Sequence, residues 1–461
     1  MAFDYDLLVL GSGPAGQRAA VQAAKLGKRV GIVERSRMVG GVCLHTGTVP
    51  SKTFREAVLS LTHIPSLAEG LPTDRPRPTM KDLLHRVNGV IERELDVVSR
   101  QLSRNGVDLI SGTARFTDPH TVSIHGGPLE RHASAAHLLL ACGSVPAPPP
   151  VDADHETILT SDDIVHLRKL PKTLAVIGGG VIGVEYASMF AELGVEVTLV
   201  DRHERILDFC DHEIVDELMH QMRQKRVTFR LNEAVQKIRG IDAPRGAAID
   251  LESGKHIEVD AVMFSIGRIG ATKQLALDKA GLASDDRGRV KVNEKFQTDV
   301  AHISAAGDLI GFPALASTSS EQGRLAVCHM FGVEAKPTHA GFPYGIYAIP
   351  EISMVGATEE ELTKQKVPYE IGVARYAEIA RGQILGDSSG FFKMIFHRET
   401  RKLLGVHCIG TQATELVHIG QAVLALGGGL DYFLETVFNY PTLAECYKVA
   451  AYSAAKHMRT S

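Results

Sequence analysis

Residues 5–10 and 173–177 read YDLLVL and TLAVI, near-continuous apolar runs of strand length. Such runs predict strands buried on both faces, as in a parallel sheet. Each is followed by a glycine-rich turn, an alanine-rich stretch and a second apolar run ending in a carboxylate. The first copy is YDLLVLGSGPAGQRAAVQAAKLGKRVGIVE, residues 5–34; the second is TLAVIGGGVIGVEYASMFAELGVEVTLVD, residues 173–201. From the first motif glycine to the carboxylate is 23 positions in both, Gly11 to Glu34 and Gly178 to Asp201. Two strand–turn–helix–strand units are therefore predicted. Residues 81–104 show a different period. Leu84, Val87, Ile91, Leu95, Val98 and Leu102 recur at spacings of three and four, which predicts a long amphipathic helix with a core-facing stripe. IPSLAEGLPTDRPRP (64–78) reads as a proline-rich surface loop, and GSVPAPPPVDAD (143–154) as a stiff linker. The pattern changes after Gly267, in a segment ending HISAAGDLIGFPALAS (302–317). A further unit starts near Phe342 with YGIYAIPEISMVG.

The repeated turn has a defined chemistry. Its first glycine, Gly11 or Gly178, permits a tight turn. The second, Gly13 or Gly180, lets the backbone approach a pyrophosphate. The third, Gly16 or Gly183, lets helix and strand pack closely. Pro14 and Ala15, and Val181 and Ile182, then open helices whose N-terminal N–H groups suit a phosphate. Glu34 and Asp201 are placed to accept from a ribose. Two bound dinucleotides are expected.

With 461 residues the chain is too long for one core, so two or three domains are expected. A net charge of -4 gives no electrostatic case for nucleic acid or an anionic membrane. No apolar run reaches the ~18 residues of a membrane span, and the N-terminal run lacks a signal peptide's basic start. Cysteines at 43, 142, 210, 328, 408 and 446 are scattered, which fits a reducing cytoplasm and offers no zinc spacing. The histidines form no ligand cluster, and no metal is expected.

The two units, Gly40-Gly41 before Cys43, PSK at 50–52 and AGD at 306–308 together resemble the flavin-dependent pyridine nucleotide–disulfide oxidoreductases. The resemblance covers the whole chain. It implies an α/β fold with two Rossmann-like dinucleotide-binding domains, for FAD and for NAD(P), plus a C-terminal α+β dimerisation domain. The implied boundaries are 1–150 for the first part of the FAD domain, 151–272 for the NAD(P) domain, 273–341 for the return to the FAD domain and 342–461 for dimerisation. Glu34, with Arg35, would serve the FAD ribose. Gly40, Gly41, Val42 and Cys43 would lie along the flavin, with Gly47 and Thr48 following. Ala141, Cys142 and Gly143 resemble a flavin-contact turn. Asp308, after Gly307, would hold the ribityl and pyrophosphate region, and Ala314, Leu315 and Ala316 would follow the ring. Ala114 and Ser161 are further expected FAD contacts, and Gly267 an NAD(P) contact. Lys52 and Glu185 resemble the family's ion pair beside flavin N5. A solvated lysine and a first-turn glutamate stabilised by the helix dipole are the bland alternatives.

Two departures bear on the reaction. Thr48 stands where the disulfide enzymes carry a second cysteine, and FNYPTLAE (438–445) has Tyr440 where their dyad histidine stands, while Glu445 remains. An unperturbed tyrosine, with pKa ~10, is a poor proton shuttle near neutral pH. Hydride entering a flavin from a nicotinamide then has no disulfide exit, so a second nicotinamide is the economical acceptor. GTVPSK, GVIGVEYASMF, HIGQAV and FNYPTLAE are similar to the soluble pyridine nucleotide transhydrogenases within that family. The resemblance implies a cytoplasmic homodimer or higher homo-oligomer with FAD bound, shuttling hydride between NADP(H) and NAD(H) by a ping-pong route. Cys43 becomes a packing residue, and Thr48 is expected to cap the helix carrying Pro50, Ser51 and Lys52. The main alternative is an NAD(P)H oxidase or quinone reductase on the same flavin site. A regulatory nucleotide-binding protein and a peroxide enzyme working through Cys43 are the others. Asp201 favours a free 2′-hydroxyl, whereas Arg202, His203 and Arg205 suit a 2′-phosphate, and the sequence is read as a compromise between them.

Overall fold

A computed structural model describes residues 3–35, 39–62, 78–126, 131–242, 245–335 and 341–458. Of the expected surface loop 64–78, residues 64–77 lie outside them. The chain forms two compact units.

Among the described residues, the first unit draws on 3–60, 78–170 and 266–335. Its sheet runs in the order Asp108–Ser111, Val30–Glu34, Tyr5–Leu10, Arg131–Leu140, Thr121–His125, Thr113–Asp118. The first four strands are parallel, and Ile303–Ala305 adds to Arg131–Leu140 in the same sense. The last two turn back as an antiparallel meander. Leu7, Leu8 and Val9 are fully buried, as expected of a strand covered on both faces. Helix Pro14–Lys25 buries Ala15, Ala19, Ala20 and Ala23, all small, and helix Ala316–Met330 packs against it. The approach is close because Gly323 lies over the Ala15 carbonyl, where a methyl group would overlap the backbone. Helix Met80–Arg104 starts at a Thr79–Asp82 capping box. It buries Met80, Leu83, Val87, Val98 and Leu102. Leu83 therefore takes the central place expected of Leu84, which is only half-buried. The expected linker opens as a short strand, Ser144–Pro146, paired with Arg268–Gly270.

The second unit contains residues 171–265 and the chain beyond 340. Strands Val227–Arg230, Glu196–Val200, Thr173–Ile177 and Ala261–Phe264 lie parallel in that order. An antiparallel sheet of Val235–Asp242, Arg245–Leu251 and His256–Val259 follows. The C-terminal part is a five-stranded antiparallel sheet in the order Tyr344–Ile346, Ile352–Gly356, Leu403–Ile409, Phe391–His397, Tyr369–Arg375. Helices Ala413–Ala425 and Glu445–Met458 pack on it around Tyr376, Phe392, Phe433 and Tyr447.

One charged cluster ties this unit together. Lys393, 1% exposed on strand Phe391–His397, donates to Asp211 Oδ1 at 3.0 Å and Glu213 Oε2 at 3.1 Å, and pairs with Glu359. His407 stands opposite it in register and shares its Nε2 with the Ala357 carbonyl. Burial alone would raise the Asp211 carboxyl, but His407 and Lys393 outweigh burial and hold it below its ordinary value. Burial would lower the Lys393 ammonium, yet Asp211 and Glu359 raise it. Asp211, Glu213 and Glu359 lie close enough together to hold a cation, and the Lys393 ammonium takes that place.

Candidate active site

Strand Tyr5–Leu10 ends at the first glycine-rich turn, where a methyl group on Gly16 would overlap the Gly11 carbonyl. Gly13 precedes helix Pro14–Lys25 without a side-chain cap, so the first N–H groups of the helix remain for a ligand. Glu34, 7% exposed, accepts from Ser12 N at 2.7 Å and Ser12 Oγ at 2.6 Å through Oε2. Ser12 Oγ accepts in turn from Gly40 N at 2.9 Å. Glu34 Oε1 has no donor among the described residues, which leaves one carboxylate oxygen for a ribose hydroxyl.

These groups border a cavity enclosing about 1130 Å³ of empty space, open solvent included. Eighteen of the expected FAD contacts line it: Gly11, Gly13, Pro14, Ala15, Glu34, Arg35, Gly41, Val42, Cys43, Thr48, Ala114, Ala141, Cys142, Gly143, Gly307, Asp308, Ala314 and Ala316. Gly16, Gly40, Gly47, Lys52, Ser161 and Leu315 are not in its lining. Gly16 and Gly40 shape the turn from behind, and Gly47 accepts the Ser51 N–H at the start of the next helix. Ser161 is buried at the start of the 3-10 helix Ser161–His166, and Leu315 precedes helix Ala316–Met330.

The cavity fits a flavin dinucleotide. A side chain at Gly41 would press on Gly13 Cα, so two glycines keep open the cradle that a pyrophosphate would fill. Asp308 offers a carboxylate whose Oδ2 accepts from Ser144 Oγ at 2.7 Å. Ser144 Oγ accepts from Arg268 Nε at 2.9 Å, and Arg268 Nη1 pairs with Asp162 at 3.0 Å. Sequence reading missed the roles of Ser12, Ser144, Arg268 and Gln322, which accepts the Gly307 N–H at 2.9 Å. Ser12 and Ser144 sit inside the two motifs that were read, so a signal existed for them. Arg268 and Gln322 stand in no motif.

Thr48 differs from expectation. It is the first residue of helix Thr48–Thr62, not the residue before it, and it lines the cavity together with Cys43 and its thiol. Burial pushes that thiol up, more strongly than Thr48 and Lys52 pull it down. A thiol so placed stays protonated near neutral pH and is a poor nucleophile. Cys142, half-buried in the cavity lining, is pushed up to about 12, chiefly by burial.

The second glycine-rich turn repeats the first. Asp201 Oδ2 accepts from Gly179 N, as Glu34 accepts from Ser12 N. A methyl group on Gly183 would overlap the Gly178 carbonyl. Gly180 precedes helix Val181–Glu192, again without a side-chain cap. Val181, Ile182 and Gly183 form its first turn. Glu185 is 3% exposed, lies beyond that turn and accepts from Tyr347 N at 2.8 Å, so the helix-dipole alternative does not describe it. Arg202 is exposed and Arg205 is paired with Asp216. Gly267 belongs to the first unit, where its carbonyl accepts from Ala147 N at 2.9 Å. In the C-terminal part Tyr440 is 69% exposed, and Glu445 opens helix Glu445–Met458.

Two dinucleotide turns, one bordering a cavity lined by Gly11, Gly13, Glu34 and Asp308, define a two-nucleotide flavoprotein. Residues 5–323 match the family model of pyridine nucleotide-disulphide oxidoreductases, and 342–451 match that family's dimerisation domain. The chain belongs to this family. It is 52% identical over 461 residues to a soluble pyridine nucleotide transhydrogenase of Mycobacterium tuberculosis, covering 99% of this chain and 98% of the relative. The soluble pyridine nucleotide transhydrogenase of Marinobacter nauticus is 44% identical, with 97% of each chain covered. Among solved structures, an HOCl-induced flavoprotein disulfide reductase of Escherichia coli superposes with a TM-score of 0.88 at 26% identity, covering 97% of this chain and 99% of that one. No described helix is long and apolar enough to cross a membrane.

Proposed function

We propose that the protein is an FAD-dependent transhydrogenase that moves hydride reversibly between NADP(H) and NAD(H). The observation that carries this reading is the Cys43–Thr48 pair: a threonine stands where the disulfide enzymes carry the redox partner, and burial holds the Cys43 thiol above its ordinary value. When bound, FAD supplies a two-electron carrier able to accept hydride from one nicotinamide and return it to another. The chain's own residues bind and orient. Residues 1–150 and 273–341 hold FAD through the Gly11–Gly16 turn, Glu34 and Asp308. Residues 151–272 take NAD(P) at the Gly178–Gly183 turn and Asp201. Residues 342–461 pair subunits, a role supported by the dimerisation-domain match. We place the enzyme in the cytoplasm, supported by six free cysteines.

The test is anaerobic. NADPH should bleach the flavin absorbance of the purified holoenzyme, and an NAD analogue should restore it with stoichiometric reduction of the analogue. Oxygen or quinone consumption exceeding transfer to NAD would favour the oxidase alternative instead.

Lys52 and Glu185 are assigned the catalytic roles. A cation at Lys52 steadies negative charge that develops as hydride arrives. Lys52→Met is expected to slow single-turnover flavin bleaching about tenfold or more, with little change in nucleotide affinity. An unchanged bleaching rate would reduce the lysine to a structural role. Cys43→Ser is expected to keep most nucleotide-to-nucleotide transfer, since a hydroxyl preserves the small side chain without a thiolate. Complete loss of transfer with FAD still bound would show a covalent role for Cys43.

A further inference from the structure

The two arginines after strand Glu196–Val200 are not equally available. Arg202 is exposed and has no partner among the described residues. Arg205 is engaged: its Nη1 donates to Asp216 Oδ1 at 2.6 Å. Asp216 sits on helix His212–Gln224, which buries Ile214, Val215, Leu218, Met219 and Met222. Residue 216 is on the opposite face, with its side chain 58% exposed. The carboxylate next to the arginines is already committed. Asp201 gives Oδ2 to Gly179 N and Oδ1 to His203 N at 2.8 Å and His203 Nδ1 at 2.7 Å. Asp216 is thus a second carboxylate at the same strand end, reaching Arg205 from the next helix.

We propose that Asp216 sets the enzyme's balance between its two nicotinamide nucleotides by competing with a 2′-phosphate for Arg205. This rests on reading the Gly178–Arg205 segment as the nicotinamide nucleotide site. Asp216 holds the Arg205 guanidinium through Nη1 and sets where its other N–H donors point, so a phosphate arriving at that same edge competes with the carboxylate. A nucleotide carrying the 2′-phosphate meets an Arg205 whose Nη1 is already held by Asp216, and it also meets the repulsion of that nearby carboxylate. A nucleotide with a free 2′-hydroxyl leaves the pair intact. The handicap falls on NADP(H) alone. A site that must bind and release both nucleotides in every cycle needs such a restraint, because two unopposed arginines would hold NADP(H) against release. Asp216 acts through Arg205 and is a positioning residue, not a catalytic one.

The pair is exposed and its coupling modest, so the expected effect is a moderate and selective one. Dissociation constants for NADP and NAD are measured by calorimetry on the holoenzyme, where the oxidised nucleotides do not turn over. Asp216→Asn is expected to tighten NADP by about two- to fivefold while NAD moves far less. The gain should shrink at high salt. Asp216→Glu should restore the wild-type ratio of the two constants. In an Arg205→Ala background, Asp216→Asn should leave NADP unchanged. A merely structural role for Asp216 would move both nucleotides together. An equal shift in both constants, or a gain for NADP that persists without Arg205, overturns the proposal and leaves the site assignment standing. If neither nucleotide binds the wild-type holoenzyme, the site assignment falls and takes the proposal with it.

Discussion

Lys393→Met is expected to cost about 3–5 kcal/mol, because it leaves buried carboxylates without their cation. Asp211 is 1% exposed and Glu359 about a quarter exposed, so water cannot replace the ammonium fully. The pH dependence follows from the directions of the shifts. In the wild type the Asp211 carboxyl is held low, so its contribution is present above the ordinary Asp value and is lost as pH falls through the lowered one. Lys393 is held high, so its contribution is present below its ordinary value and is lost as pH rises through the raised one. His407, opposite in register, is held low chiefly by burial, and its protonation adds to acid lability. Without the lysine, Asp211 loses a cation that lowers it, and protonation becomes favourable in the folded state. The deficit of Lys393→Met relative to wild type should therefore narrow on going from pH 8 to pH 5. Asp211→Asn combined with Lys393→Met should recover part of the loss. Urea midpoints at the two pH values decide the matter. A variant that unfolds at the wild-type midpoint at pH 8 would show the cluster to be energetically neutral.

Asp308→Ala is expected to strip FAD from the purified protein. The carboxylate borders the cavity and is the end of a chain through Ser144 and Arg268 to Asp162. Removing it takes away an ionised acceptor and leaves Ser144 Oγ without that acceptor. A hydrogen bond to a charged group contributes about 1.5–3 kcal/mol, so FAD affinity should fall roughly 10- to 100-fold. Ser144→Ala keeps the carboxylate but frees its orientation, and should produce a smaller loss. The flavin-to-protein absorbance ratio and the rate of FAD release report both effects. Full flavin occupancy with unchanged release in Asp308→Ala would remove this carboxylate from cofactor binding.

What could be read along the chain were features whose cause is local. The two glycine-rich turns are recognisable because a side chain at Gly16 or Gly183 has no space, so sterics dictate residue type at fixed spacing. The long helix was visible from its apolar period, although the burial of Leu83 over Leu84 depends on the surface it meets. Features made by distant partners were not legible. FFKMIFH reads as an ordinary strand, yet its lysine is buried against acids 182 and 180 positions away. The same holds for Arg268, which reaches Ser144 across 124 positions. Thr48 stands in the sequence where the disulfide enzymes carry a second cysteine, but that it opens helix Thr48–Thr62 instead of preceding it is fixed by where the backbone turns helical.

The contact of helix Ala316–Met330 with helix Pro14–Lys25 has a consequence for biosynthesis. Gly323 against Ala15 and Gly307 against the same helix join parts of one wall whose sequence positions are some three hundred residues apart. Between them the ribosome must make all of residues 171–265, which fold into the other unit. A nascent chain therefore carries the Gly11–Gly16 turn, exposed and incomplete, for most of its synthesis. Asp308 and helix Ala316–Met330 arrive late, so cofactor loading is a late event in the life of each chain. Chains released before about residue 330 end without the second wall.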